Sequence, residues 1–400
     1  MVRLALALFA VQAGFHGFTA ALPLALSRSG VPDPEIGLIV GMAALVQVPA
    51  ALLAGALVDR LGGLRMLVAG AGAYLVGAAI LLLPGVDAGG DRLPFLLARL
   101  CQGIGIAASL PAALSLVPRL VAGDRQGFGL AFIGSAHNLT LVVLPPLSLA
   151  ILSATSLDGV ALAVVGLVIV GIAIVFLSGV AGTIRRGQPG TAAARARAAG
   201  APAATRRFGL AFRRSWVRPA LIALLYVAHW GVITAYLPQR AEAAGADVGL
   251  FFVADGLAVL AARVPSGWLA DRTPPRRLLL AGLAITAVST GLLLLPPTTP
   301  ILVVAGALTG AGAGLLLTPL LVEMSRRSSE ADRGSAFSMF SGALAGALVL
   351  GSIGAAPLVA AAGFEAAIGA SIVGLGLAAV VAIGDRDLRT ARRAAPAPAA

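Results

Sequence analysis

Twelve times along this chain, an apolar run closes at a charge or at a Pro/Gly cluster. Each run is close to the ~20 residues that a helix needs to cross a bilayer. In hydrocarbon a backbone must satisfy its own polar groups, so the runs read as helices and the chain as all-α. Segmentation puts helices 1 to 6 near 4–26, 36–58, 66–84, 93–117, 127–152 and 157–180. Helices 7 to 12 follow near 217–238, 248–270, 278–296, 299–323, 334–360 and 363–384. The stretch from Leu4 to Leu26 is longer than the ~7–15 residues of a signal-peptide core, so the first run reads as a retained helix. Composition agrees with lipid as solvent. Only 12% of residues are charged, against roughly 25% in a soluble fold.

Charge placement orients the chain. All 29 basic residues are arginine, and the net charge is +12. With the N-terminus inside, 24 arginines fall on inner segments and three (Arg28, Arg92 and Arg240) on outer loops, leaving Arg99 and Arg263 within spans. Such a bias predicts both termini in the cytoplasm. It also accounts for the basic charge through the inner membrane surface rather than through nucleic acid. Cys101 is the one cysteine, too few for a disulfide framework or a thiolate metal site.

The two halves of the chain repeat each other in order. Phe18-Thr19-Ala20-Ala21-Leu22-Pro23 is matched by Ile233-Thr234-Ala235-Tyr236-Leu237-Pro238. Pro84 is matched by Pro296, Pro111 by Pro319, and Asp124-Arg125 by Asp332-Arg333, all at a nearly constant offset. Parallel repeats of six spans are one plan of membrane transporters. The reading is therefore an N-terminal six-helix bundle over 1–180 and a pseudo-symmetric C-terminal bundle over 217–384. An Arg/Ala-rich cytoplasmic linker over 181–216 joins them, and 385–400 forms a cytoplasmic tail.

One further repeat carries a family resemblance. Gly55-x-Leu57-x-Asp59-Arg60-x-Gly62-x-x-Arg65 lies between helices 2 and 3, and Gly267-x-Leu269-x-Asp271-Arg272 with Arg276 and Arg277 lies between helices 8 and 9. The motif resembles the inner-loop motif of the major facilitator superfamily, in particular its compact drug and metabolite efflux members. The resemblance implies that these residues form a conformational latch, with Asp59 and Asp271 facing helix N-termini of the opposite half. A carboxylate gains ~0.3–1 kcal/mol at such a terminus. Asp59 is expected near Gly334 and Ser335. Gly63 and Leu64 stand where the family has basic residues, and Pro274 stands where it has glycine.

Arg99-x-x-Gln102-Gly103-x-Gly105 similarly resembles the helix 4 motif of the family, which implies a part in proton coupling for Arg99. The three histidines, His16, His137 and His229, all fall near mid-membrane depth. Ionisable groups there are functional candidates, and imidazole exchanges protons near neutral pH. The clearest acid within a span is Asp255, with Glu323 at the inner end of helix 10. The expected coupling set is Arg99, Asp255, His16 and His229. The expected substrate cavity draws on Gln12, Gln47, Gln102, His137, Asn138, Tyr226, Trp230 and Tyr236.

The function implied is secondary transport of a small molecule across the cytoplasmic membrane, with proton-coupled efflux favoured and a monomer as the unit. A uniporter and a proton-symport uptake carrier are alternatives, because helix 5 has Leu144-Pro145-Pro146 in place of the exporters' glycine-rich Gly-Pro motif. A membrane enzyme and a transport-dead sensor are distant ones. No cofactor, metal site or phosphate-binding loop is expected.

Overall fold

The computed structural model describes residues 1–87, 89–120, 126–177, 213–328 and 333–389. The side chains of some helical residues at one end of the bundle lie outside that description, among them Asp59, Arg60, Arg263 and Asp271. So does most of the expected linker and tail.

Helix α1 comprises Val2–His16 and Ala21–Arg28; α2 is Asp33–Leu61, α3 Gly63–Leu81, α4 Leu93–Leu120, α5 Gln126–Ala154 and α6 Leu157–Leu177. The second half holds α7 Arg214–Ala243, α8 Val248–Arg272, α9 Pro275–Leu292 and α10 Thr299–Arg326. Helix α11 begins as Arg333–Val349, passes through a π-turn at Leu350–Gly354 and continues as the start of Ala356–Gly384. Gly363 breaks that last segment with φ of 79°, and the residues beyond it form α12. Only glycine adopts such a backbone without strain. Among the described residues, nine helices are long and apolar enough to cross a membrane, with shorter apolar stretches at Val248–Ala262 and Met339–Gly354. With α9 these make the expected twelve.

Helix 1 departs from its expected form. A single helix was expected over 4–26, but residues 17–20 form a turn in which Phe18 N–H bonds Phe15 O and Thr19 N–H bonds His16 O. Pro23 has no N–H to offer the Thr19 carbonyl, so the ladder is already one bond short there. Pro238 occupies the matching place in α7, and that helix runs unbroken.

The outer surface is apolar, with Leu162, Val288, Val373 and Val380 all exposed. In lipid this is expected, and helix association then relies on close packing of small residues. The repeat reappears in that packing. Gly103 of α4 meets the backbone of Ala43 on α2, and Gly310 of α10 meets that of Asp255 on α8. A Cβ at either glycine would come within 2.3 Å and 2.0 Å, respectively, of a carbonyl oxygen.

The halves are joined unevenly. One continuous hydrophobic core runs through the first half and on into Val232, Ile233, Tyr236, Leu237 and Ala241 of α7. At the opposite end of the second half, Trp216, Tyr226, Leu283, Leu316 and Leu375 belong to a separate core. The halves therefore share a core at the end bearing Arg28, and not at the other end among the described residues.

Candidate functional site

A cavity of about 190 Å³ lies between the halves, lined from α1, α2, α4, α5, α7 and α11. Phe15 and His16 before the break in α1 and Thr19 within it all line the cavity.

Arg99 enters from α4. Its Nη1 donates to Gln102 Oε1 at 2.6 Å and its Nη2 to Val40 O at 2.7 Å. The guanidinium also lies 5.3 Å from the Phe15 ring centroid, a cation–π contact. Gly306, where the repeat places the counterpart of Arg99, packs directly on the backbone of Phe251. The first half thus holds a cation where the second has bare backbone, and Asp255 stands where the first half has Ala43.

His16 and His137 face each other with ring centroids 5.3 Å apart. Behind them Tyr74 Oη donates to Gln12 Oε1 at 2.9 Å, and Gln12 Nε2 lies 3.3 Å from His137 Nδ1. The amide donates to that nitrogen when it carries no proton, so the chain orients His137 and depends on its tautomer. Both ring nitrogens of His16, Arg99 Nε and Thr19 Oγ1 are buried without a hydrogen-bond partner. Buried polar groups are normally paired, and unpaired ones mark places where a ligand or water belongs.

The cavity is closed at the Arg28 end. Gly37 and Gly41 of α2 lie against the π-turn of α11, where added Cβ atoms would meet the Tyr236 hydroxyl and Ser352. Tyr236 Oη donates to Ser352 O at 2.6 Å. Gly249 and Gly256 of α8 pack likewise on Pro146 and Val142 of α5. Above this layer Arg28 pairs with Glu242, and Gln239 Nε2 reaches Asp33 Oδ1 at 3.5 Å. Arg240 pairs with Glu365 within the second half.

The expected site residues therefore divide. Gln47, His137 and Trp230 line the cavity with His16 and Arg99. Gln12 and Gln102 are fully buried one layer behind and orient those groups. Asn138 donates to Gly134 O of its own helix. Tyr236 belongs to the closed end rather than to the cavity. Tyr226, His229 and Asp255 are not among the cavity-lining residues; His229 Nδ1 bonds Tyr226 O, and Asp255 is buried with no ion pair among the described residues. Glu323 is no isolated acid, since Arg326 and Arg327 both pair with it.

Of the expected latch, the side chains of Gly55, Asp59, Arg60, Gly267 and Asp271 lie outside the described residues, as do those of Gly334 and Ser335. Arg65, Arg272 and Arg277 are exposed, and Arg276 is half-buried. Sequence reasoning did not single out Thr19 and Thr234 as cavity residues, yet both line it. Their signal was present, because they occupy matching positions in the first repeat.

The family model of the Major Facilitator Superfamily matches residues 4–247 and 230–399. The chain belongs to the Major Facilitator Superfamily. It is a membrane transporter rather than an enzyme. No curated protein matches it in sequence. Among solved structures it is similar to a peptide transporter, POT, in complex with alafosfalin, at TM-score 0.74 and 17% identity over 97% of this chain and 95% of that one. A POT family transporter in complex with 5-aminolevulinic acid is similar at 0.73 and 14%, over 96% and 94%. The inward open xylose transporter XylE from E. coli is similar at 0.69 and 17%, over 95% and 94%. At these identities the likeness is one of fold.

Proposed function

We propose that this facilitator exports a small molecule across the cytoplasmic membrane in exchange for protons, by alternating access. Bundles 1–180 and 217–384 rock about the cavity, joined by the cytoplasmic linker 181–216, with 385–400 a cytoplasmic tail and the monomer as working unit. The observation that supports this best is the position of the cavity, lined from both halves and sealed, among the described residues, at the Arg28 end by contacts between them. If the arginine bias sets both termini in the cytoplasm, the sealed end is the outer one. The state described is then inward-facing.

His16 and His137 supply proton exchange beside the substrate, and Arg99 couples them to it. Asp255 and His229, behind the second half, would take part at another stage of the cycle. Asp59 and Asp271, with Arg60, Arg65, Arg272, Arg276 and Arg277, would latch the opposite state.

One observation favours the facilitated uniporter as a second reading: among the described residues no Asp or Glu lines the cavity. Proteoliposomes with an imposed pH gradient separate the two. Proton-coupled export predicts substrate counterflow that accelerates with the gradient and becomes indifferent to it in His16→Ala or Asp255→Asn. Wild-type flux that ignores the gradient would establish the uniporter. Flux that runs with the proton would establish symport.

A further inference from the structure

We propose that the cavity receives a small organic anion, a carboxylate on an apolar body, and that Arg99 binds its charge. The proposal rests on reading the cavity as the transport site, and it names the substrate class.

Arg99 is 4% exposed and sits within a span. A buried guanidinium is normally matched by an acid, because an uncompensated charge in a low-dielectric interior is costly. Among the described residues its hydrogen-bond partners are neutral, the Gln102 amide and the Val40 carbonyl, and Nε has no partner. None of the described residues lining the cavity is acidic. A cationic substrate would meet Arg99 with no countercharge, whereas an anion would supply the one that is missing.

The unpaired atoms point the same way. Thr19 Oγ1 and the two ring nitrogens of His16 are buried without partners and belong to cavity-lining residues beside Arg99. Arg99 Nη1 and Nη2 each keep one N–H beyond those given to Gln102 and Val40, and a side-chain rotation would let the covered Thr19 hydroxyl and His16 ring add donors to the two oxygens of a carboxylate held there. A guanidinium fork matches that geometry better than a point charge does.

The rest of the wall decides between an organic and an inorganic anion. Phe15, Ile106, Leu141, Trp230 and Leu348 make it mainly apolar. Chloride would leave those surfaces unfilled. At about 190 Å³ the space holds on the order of six waters at ~30 Å³ each, which suits a small aromatic or branched acid.

The test uses the purified full chain in detergent. Binding is read by tryptophan fluorescence, since Trp230 lines the cavity, and by titration calorimetry. The probes are benzoate, its neutral analogue benzamide, its cationic analogue benzylamine, and chloride as competitor at constant ionic strength. Benzoate is expected to bind saturably, at least tenfold tighter than either analogue, with chloride competing weakly. Arg99→Gln should weaken benzoate at least tenfold and abolish its preference over benzamide. Thr19→Val should weaken benzoate severalfold while keeping that preference. Equal binding of benzylamine, absence of saturable benzoate binding, or a charge preference that survives Arg99→Gln would overturn the proposal. Chloride binding as tight as benzoate would assign the site to an inorganic ion instead. If Arg99→Gln does not fold, the wild-type ranking and Thr19→Val decide alone. Benzoate binding with no linked proton movement would retire proton exchange but leave this inference standing. Proton movement linked to benzylamine alone would do the reverse.

Discussion

At the scale of single residues, Arg327 is heavily committed outside the cavity. Its Nη1 donates to Asp385 Oδ2 at 2.9 Å and to Ser215 O at 3.1 Å, and its Nε to Glu323 Oε2 at 3.4 Å. Asp385 is completely buried. The Trp216 indole donates back to Arg327 O at 3.0 Å. One guanidinium therefore ties the start of α7 to the ends of α10 and α12. A buried ion pair adds little net stability, but removing one partner strands the other charge at a cost of about 3–5 kcal/mol. Arg327→Ala should lose stability on that scale, measured as a lower unfolding midpoint in detergent. Arg327→Lys, which keeps the charge but not the fork, should lose less. Sequence reasoning placed Arg327 among the inner-face arginines and Glu323 at the inner end of helix 10. The link from Arg327 to Asp385 was not legible, because those two positions are far apart in sequence and meet only where the ends of α10 and α12 come together in the fold.

At the scale of elements, the contact of α2 with the π-turn of α11 closes one end of the cavity. A Cβ on Gly41 would lie 2.4 Å from both Ser352 Oγ and Ile353 Cγ1. Helix α2 presents this small face at residues four apart, as helices packing in lipid do, and π-turns recur where helices are reshaped for function. Gly41→Leu should force the two elements apart. Spin labels at Ser27 and Ala244 should then report a longer and broader distance distribution; an unchanged one would count against this contact as the closure. The ends of the elements were largely legible. The expected boundary between helices 11 and 12 coincides with the kink at Gly363. The turn at residues 17–20 and the π-turn were not legible, since Pro23 and Pro238 give the same local signal and only one helix breaks.

At the scale of the whole molecule, two halves built alike share a core at one end and, among the described residues, keep separate cores at the other. Arg28 and Glu242 pair across that shared end, both partly exposed. An exposed pair contributes ~0–1 kcal/mol, too little to matter for folding. It is still enough to bias two conformations of similar energy. Arg28→Glu should therefore leave the unfolding midpoint nearly unchanged while raising the population with the Arg28 end open, read by the same pair of spin labels. The double reversal Arg28→Glu/Glu242→Arg should restore the original population. Failure of that rescue would show that the pair does not set the balance.

What the amino-acid sequence by itself determined was the all-α fold, the twelve spans, the repeat and the superfamily. Each follows from local quantities, because hydropathy over one helix length and backbone hydrogen bonding in lipid do not depend on neighbouring helices. What only the tertiary structure decided was which polar groups share a cavity. His16, His137 and His229 look alike along the chain, yet the first two face each other beside Arg99 while the third turns to the backbone of its own helix. Depth in the membrane can be counted from either end of a span. The direction in which a side chain points depends on helix rotation, on the break after His16 and on the closeness of two glycine-lined faces, and these are fixed by packing between helices.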